Sequence, residues 1–162
     1  MMEKFLLPNS DLLTPITISL IGGGGKTSLT FWLAQQMAAQ GHKVLVSTTT
    51  KMFVPTSDQI SNLVINSDNE KLLSLLQSDT QIDSHSITYC ASKIDYDKDK
   101  VLGVDPELIN HIKNLDLFTV LIIEADGARR RPIKAPLGHE PCIPSSTDIV
   151  IAVTGGSGTP TY

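Results

Sequence analysis

A chain of 162 residues, 41% hydrophobic and 19% charged, is long enough to bury a real core and is expected to form one domain. Its formal net charge of −4 gives no basis for a nonspecific grip on nucleic acid or on a membrane surface. Two cysteines, Cys90 and Cys142, make no disulfide framework and suit a reducing compartment, so the cytoplasm is the expected location.

The first 15 residues read as a surface lead-in. The apolar patch Phe5, Leu6 and Leu7 is broken at once by Pro8 and Asn9, too early for a signal core or a membrane span. Residues 16–21, rich in isoleucine, read as a buried strand that stops at four glycines, Gly22, Gly23, Gly24 and Gly25. Lys26, Thr27 and Ser28 follow and open an amphipathic helix with Leu29, Leu33 and Met37 on one stripe. Strand, glycine turn, Lys-Thr, helix is the order a phosphate cradle requires. Glycines let backbone N–H groups approach phosphate oxygens, and the helix N-terminus adds partial positive charge. In that pattern Lys26 reaches the β- and γ-phosphates and Thr27 ligates Mg²⁺. The full spacing G-x-x-x-x-G-K-[ST] is not met, because its first glycine falls on Leu20.

The helix is expected to run to about Gln40, with Gly41 as its left-handed C′ residue. Residues 43–48 (KVLVST) read as a second strand, giving a βαβ unit with a right-handed crossover. Thr48, Thr49, Thr50 and Lys51 then lie at its carboxyl end, where ligands bind in open α/β sheets. The threonine hydroxyls suit phosphate, metal or water, and Lys51 reads equally as a phosphate ligand or a surface lysine. Strands are also expected at 62–66 and 86–91, with a helix between them entered through a capping box from Ser67 to Glu70. Residues 92–104, mixed in charge, read as a solvated loop or hairpin. Asp105 and Pro106 announce a helix to about Asn114. Residues 119–125 (TVLIIEA) and 148–153 (DIVIAV) read as buried parallel strands. The glycine-rich stretch 154–162 reads as a flexible tail, or as the point where a longer chain is cut. The expectation is an α/β, three-layer fold like that of P-loop NTPases, with a mostly parallel sheet, helices on both faces and a nucleotide-binding domain over 1–153.

A nucleotide-handling site needs a carboxylate at the end of a buried strand to hold Mg²⁺ or orient an attacking group. Glu124 and Asp126 fit, since residues two apart on an extended chain share a face. One can hold the metal and the other act as base; the sequence does not assign them. Arg129, Arg130 and Arg131 follow and favour an anionic ligand as a group, although three in a row cannot all point one way. His139, Glu140 and Cys142 offer too few ligands for a structural zinc site and read as a loop between Pro136 and Pro144. Phe31 and Trp32 read as helix-packing residues.

The blocks GGGGKTSL, VLVSTTTKM, IIEADGARRRPIKAP and HEP, in this order, resemble the YqeC-type selenium-dependent hydroxylase accessory proteins. The third block is the most specific. The resemblance implies nucleotide binding and a role in maturing selenium-dependent molybdenum hydroxylases. The implied site comprises Gly22–Thr27 by motif, residues 48–51, Glu124, Asp126, Gly127 and residues 129–131, with His139 and Glu140 more weakly attached. The implied ligands are ATP or GTP with Mg²⁺, and a hydroxylase or its molybdenum cofactor is the implied partner. An accessory enzyme, whether a triphosphatase or a phosphoryl or nucleotidyl transferase, competes with a nucleotide-gated chaperone or docking module. A metal-insertion role rests on His139 and Cys142 alone. Absence of an N-K-x-D run favours adenine or a relaxed choice of base.

Overall fold

The computed structural model describes residues 14–127 and 141–154. Six strands form one wholly parallel sheet: β1 (Ile16–Gly22), β2 (Val44–Thr48), β4 (Asn62–Ile65), β5 (Ile87–Ala91), β8 (Val120–Glu124) and β9 (Ile149–Val153), in the order β4-β5-β2-β8-β1-β9. Three short strands, β3 (Lys51–Phe53), β6 (Lys93–Asp95) and β7 (Lys100–Leu102), make a separate antiparallel sheet in the order β3-β7-β6. The helices are α1 (Lys26–Ala39), α2 (Asn69–Ser78) and α3 (Pro106–Lys113).

Alternation along the central strands divides the core in two. Ile18 and Leu20 of β1, Val44 and Val46 of β2, and Val120 and Ile122 of β8 pack with Phe31, Leu33 and Met37 of α1. The residues between them, Leu45, Leu121 and Ile123, pack with Leu72 and Leu76 of α2 and with Leu108, Ile109 and Ile112 of α3. Because successive strand side chains point to opposite faces, helices cover both faces of the sheet. Leu20, at the place of the missing first glycine, is fully buried in the α1-side core. The strand continues to Gly22 before the chain turns.

Several expectations need correction. Among the described residues β9 is an edge strand with Ile149 and Val150 exposed, because β1 alone pairs with it there. Its apolar run resembles that of the central β8, whose residues are all buried. Trp32 is exposed on α1, while Phe31 enters the core. Asp68, not Ser67, caps α2, its carboxylate accepting from the Glu70 and Lys71 amides. Gly41 does take a left-handed φ of 91°, and the His85 ring meets the Ala38 carbonyl at 2.8 Å beside it. No helix among the described residues is long and apolar enough to cross a membrane.

The connections position the site. From β1 the chain crosses over β8 to reach β2, and from β8 it passes β1 to reach β9. The two connections leave in opposite directions, so a crevice opens at the carboxyl ends of β1 and β8.

Candidate functional site

That crevice is an open cleft of about 840 Å³, within the range of small-molecule sites. Gly23, Gly24, Gly25, Lys26 and Thr27 form one wall. Gly22 and Gly25 adopt φ of 102° and 96°, conformations that suit glycine. A Cβ on Gly22 would lie 2.5 Å from the Val153 carbonyl oxygen, and the next amide, Gly23 N–H, donates to that oxygen at 2.7 Å. The loop is therefore pinned to the edge strand as it turns. Lys26 is buried, and its Nζ donates to the Gly22 and Gly23 carbonyls at 2.7 and 3.0 Å. The ammonium braces the loop from within and places a positive charge beside it.

The start of α1 differs from the other two helix starts. Asp68 caps α2 and Asp105 caps α3, each with a glutamate in the first turn. At α1 the N-cap is Gly25, no side chain caps it, and the first turn carries no acidic residue. The positive end of the helix dipole thus opens on the cleft without a side-chain cap of its own.

Across from this end stands Glu124, buried at the end of β8. Thr27 Oγ1 donates to its Oε2 at 3.0 Å. Burial pushes the Glu124 carboxyl above the usual carboxylate range; the Thr27 hydrogen bond and the Lys26 ammonium pull it down, and the Asp126 charge pushes it up. Asp126, also buried, accepts from the Gly22 amide at 3.2 Å and so ties the strand end to the glycine loop. The donor set suits magnesium, which is held by one or two carboxylates together with ligand phosphates, not by a protein cage. No cluster of three or more His, Cys, Asp or Glu side chains able to hold a metal ion occurs among the described residues.

The threonines divide by role. Thr48 is buried, and its hydroxyl donates to the Glu124 carbonyl at 2.8 Å. Thr49 and Thr50 line the cleft, and Thr49 Oγ1 donates to the Cys142 carbonyl at 2.8 Å. Lys51 lines the cleft from an exposed position on β3. Ser28 is exposed on α1 and is not part of the lining. Gly127 and Cys142 contribute to the rim. Arg129, Arg130, Arg131, His139 and Glu140 lie outside the described residues.

Sequence reasoning missed the opposite wall, formed by Met52, Phe53, Lys100, Leu102 and Gly103. Residues 92–104 contain a hairpin, but one whose strand β7 also pairs with β3, just past the threonines. Two backbone bonds strap it there: Gly103 N–H to the Thr50 carbonyl at 2.6 Å and Val104 N–H to the Thr48 carbonyl at 2.9 Å. Only glycine fits, since a Cβ at 103 would meet the Thr48 oxygen at 2.5 Å. The alternation in Lys51-Met52-Phe53 was the available signal, and three residues are too few for it to stand out.

Comparison with known proteins gives one consistent result. The YqeC protein family matches residues 18–159. The uncharacterized protein YqeC of Escherichia coli (strain K12) is 44% identical over 144 residues, which are 88% of this chain and 52% of that protein. The chain therefore spans about half the length of this curated relative. No solved structure matches it.

Proposed function

The chain belongs to the YqeC family, and from the cleft geometry we propose that it is a magnesium-dependent nucleotide-binding protein with a P-loop NTPase-like fold. The observation that carries this reading is the approach of Thr27 Oγ1 to Glu124 Oε2 at 3.0 Å, beside buried Lys26 and an uncapped helix start. Phosphates of ATP or GTP lie against the amides of Gly23–Thr27 and the Lys26 charge. Thr27 and Glu124 would hold Mg²⁺, and the ion would supply neutralisation of phosphate charge. Asp126 holds the Gly22 turn in shape. The family resemblance supports placing this chemistry in maturation of selenium-dependent molybdenum hydroxylases, with the hydroxylase or its cofactor as partner.

The test is the metal dependence of binding. Titration of ATP and GTP into the wild type is expected to show affinity raised about tenfold or more by Mg²⁺, the scale of one lost charge-assisted contact. In Thr27→Val and Glu124→Gln that gain disappears, while weaker metal-free binding persists. An undiminished Mg²⁺ effect in both variants would remove these residues from the metal site.

A further inference from the structure

The small sheet carries chemistry that the phosphate cradle does not use. Its strands alternate: Met52 and Val101 are buried and join the α1-side core, so their neighbours turn outward. The antiparallel register sets Lys51 against Leu102 and Phe53 against Lys100. All four line the cleft, forming a two-by-two patch with lysines on one diagonal and apolar side chains on the other.

Three features of this patch point to a ligand. Phe53 is 48% exposed although Met52 beside it already fills the inward position. Lys100 Nζ stands 5.1 Å from the Phe53 ring centroid. Neither Lys51 nor Lys100 forms an ion pair among the described residues; Asp95, opposite Lys100 in the hairpin, pairs with Lys98 at 3.5 Å instead. An exposed ring with one lysine over it and a second on the same face of the strand, neither with an anionic partner among the described residues, complements a planar ring carried by an anionic ligand. The wall is also preorganised, because the Gly103 and Val104 bonds strap it to residues 48–50.

We infer that the outer face of the small sheet is a second subsite of the cleft, in which Phe53 stacks a planar heterocycle and Lys51 and Lys100 pair with anionic groups carried by the same ligand. This rests on the proposed function only in assigning phosphates to the glycine loop. The ring belongs either to the nucleotide itself or to a second, anionic heterocyclic substrate.

Titrations with three probes separate these sources: magnesium tripolyphosphate, which has no ring; Mg·ATP; and flavin mononucleotide, a planar heterocycle with its own phosphate. The variants are Phe53→Ala, Lys51→Gln/Lys100→Gln and Lys26→Ala. Both wall variants replace solvent-facing side chains, so melting temperatures near that of the wild type will show that they fold. If the nucleotide supplies the ring, the wall variants weaken Mg·ATP about tenfold or more and leave tripolyphosphate within about twofold. If a second substrate supplies it, flavin mononucleotide binds wild type and Lys26→Ala alike and is lost in both wall variants. Indifference of both Mg·ATP and flavin mononucleotide to the wall variants, or failure of flavin mononucleotide to bind where Mg·ATP is indifferent, overturns the subsite. Failure of tripolyphosphate to bind the wild type overturns the phosphate cradle instead, and the wall is then judged on flavin mononucleotide alone.

Discussion

Glu124 carries a carboxyl in a buried place at the site, and its proton affinity reports on those surroundings. The residue is 6% exposed, and burial raises its carboxyl's proton affinity in the folded chain. A carboxyl with a raised folded pKa stabilises the fold fully below the ordinary carboxylate range. That contribution is lost as pH rises through the folded pKa. Without ligand, Glu124→Gln is therefore expected to melt higher than the wild type at neutral pH, with the difference closing as pH falls toward 4. A gain of roughly 2–4 °C corresponds to about 1 kcal/mol in a domain of this size. Thermal melts across pH check it, and a variant less stable than the wild type at neutral pH would show that the carboxylate is well solvated. The same substitution is expected to abolish the proposed Mg²⁺ effect on binding, so that stability and function would move in opposite directions at this residue.

Elements differ in how openly the sequence announces them. Asp105-Pro106 marks the start of α3, and in the structure the Asp105 carboxylate accepts from the Glu107 amide at 2.9 Å. Capping chemistry is local, so a few residues suffice to reveal it. The burial of β9 is not local. Its residues match a central strand in composition, and it is the sheet order, which puts β9 at an edge among the described residues, that exposes them. The small sheet was hidden for a third reason: β3 and β7 are joined by pairing across nearly fifty residues of chain, and neither is long enough to show a period. Gly103 is the hinge of that arrangement. Gly103→Ala is expected to destabilise the fold by about 1–3 kcal/mol through the clash with the Thr48 carbonyl. Denaturant unfolding measures it. A neutral effect would mean that the strap between β7 and residues 48–50 yields easily, leaving the second wall of the cleft loosely placed.

At the scale of the whole molecule, the parallel sheet, its switch point and the helices on both faces follow from the alternation of apolar runs with amphipathic helices, which the sequence displays. The glycine turn was legible for the same reason: Gly22–Gly25, Lys26 and Thr27 sit between a strand and a helix. The carboxylates Glu124 and Asp126 close a line of buried strand residues. Bringing Thr27 within 3.0 Å of Glu124 needs the fold, because 97 residues separate them and β8 must lie directly beside β1. The central claim is that this junction grips nucleotide phosphates through Lys26. Isothermal titration of Mg·ATP and Mg·GTP into wild type and Lys26→Ala, each checked for folding by its melt, tests it most directly. The account predicts that at least one nucleotide binds the wild type and that the variant loses about thirtyfold or more, the scale of removing a buried charge from a phosphate contact. Equal affinity in both proteins, or no binding of either nucleotide to the wild type, would contradict it.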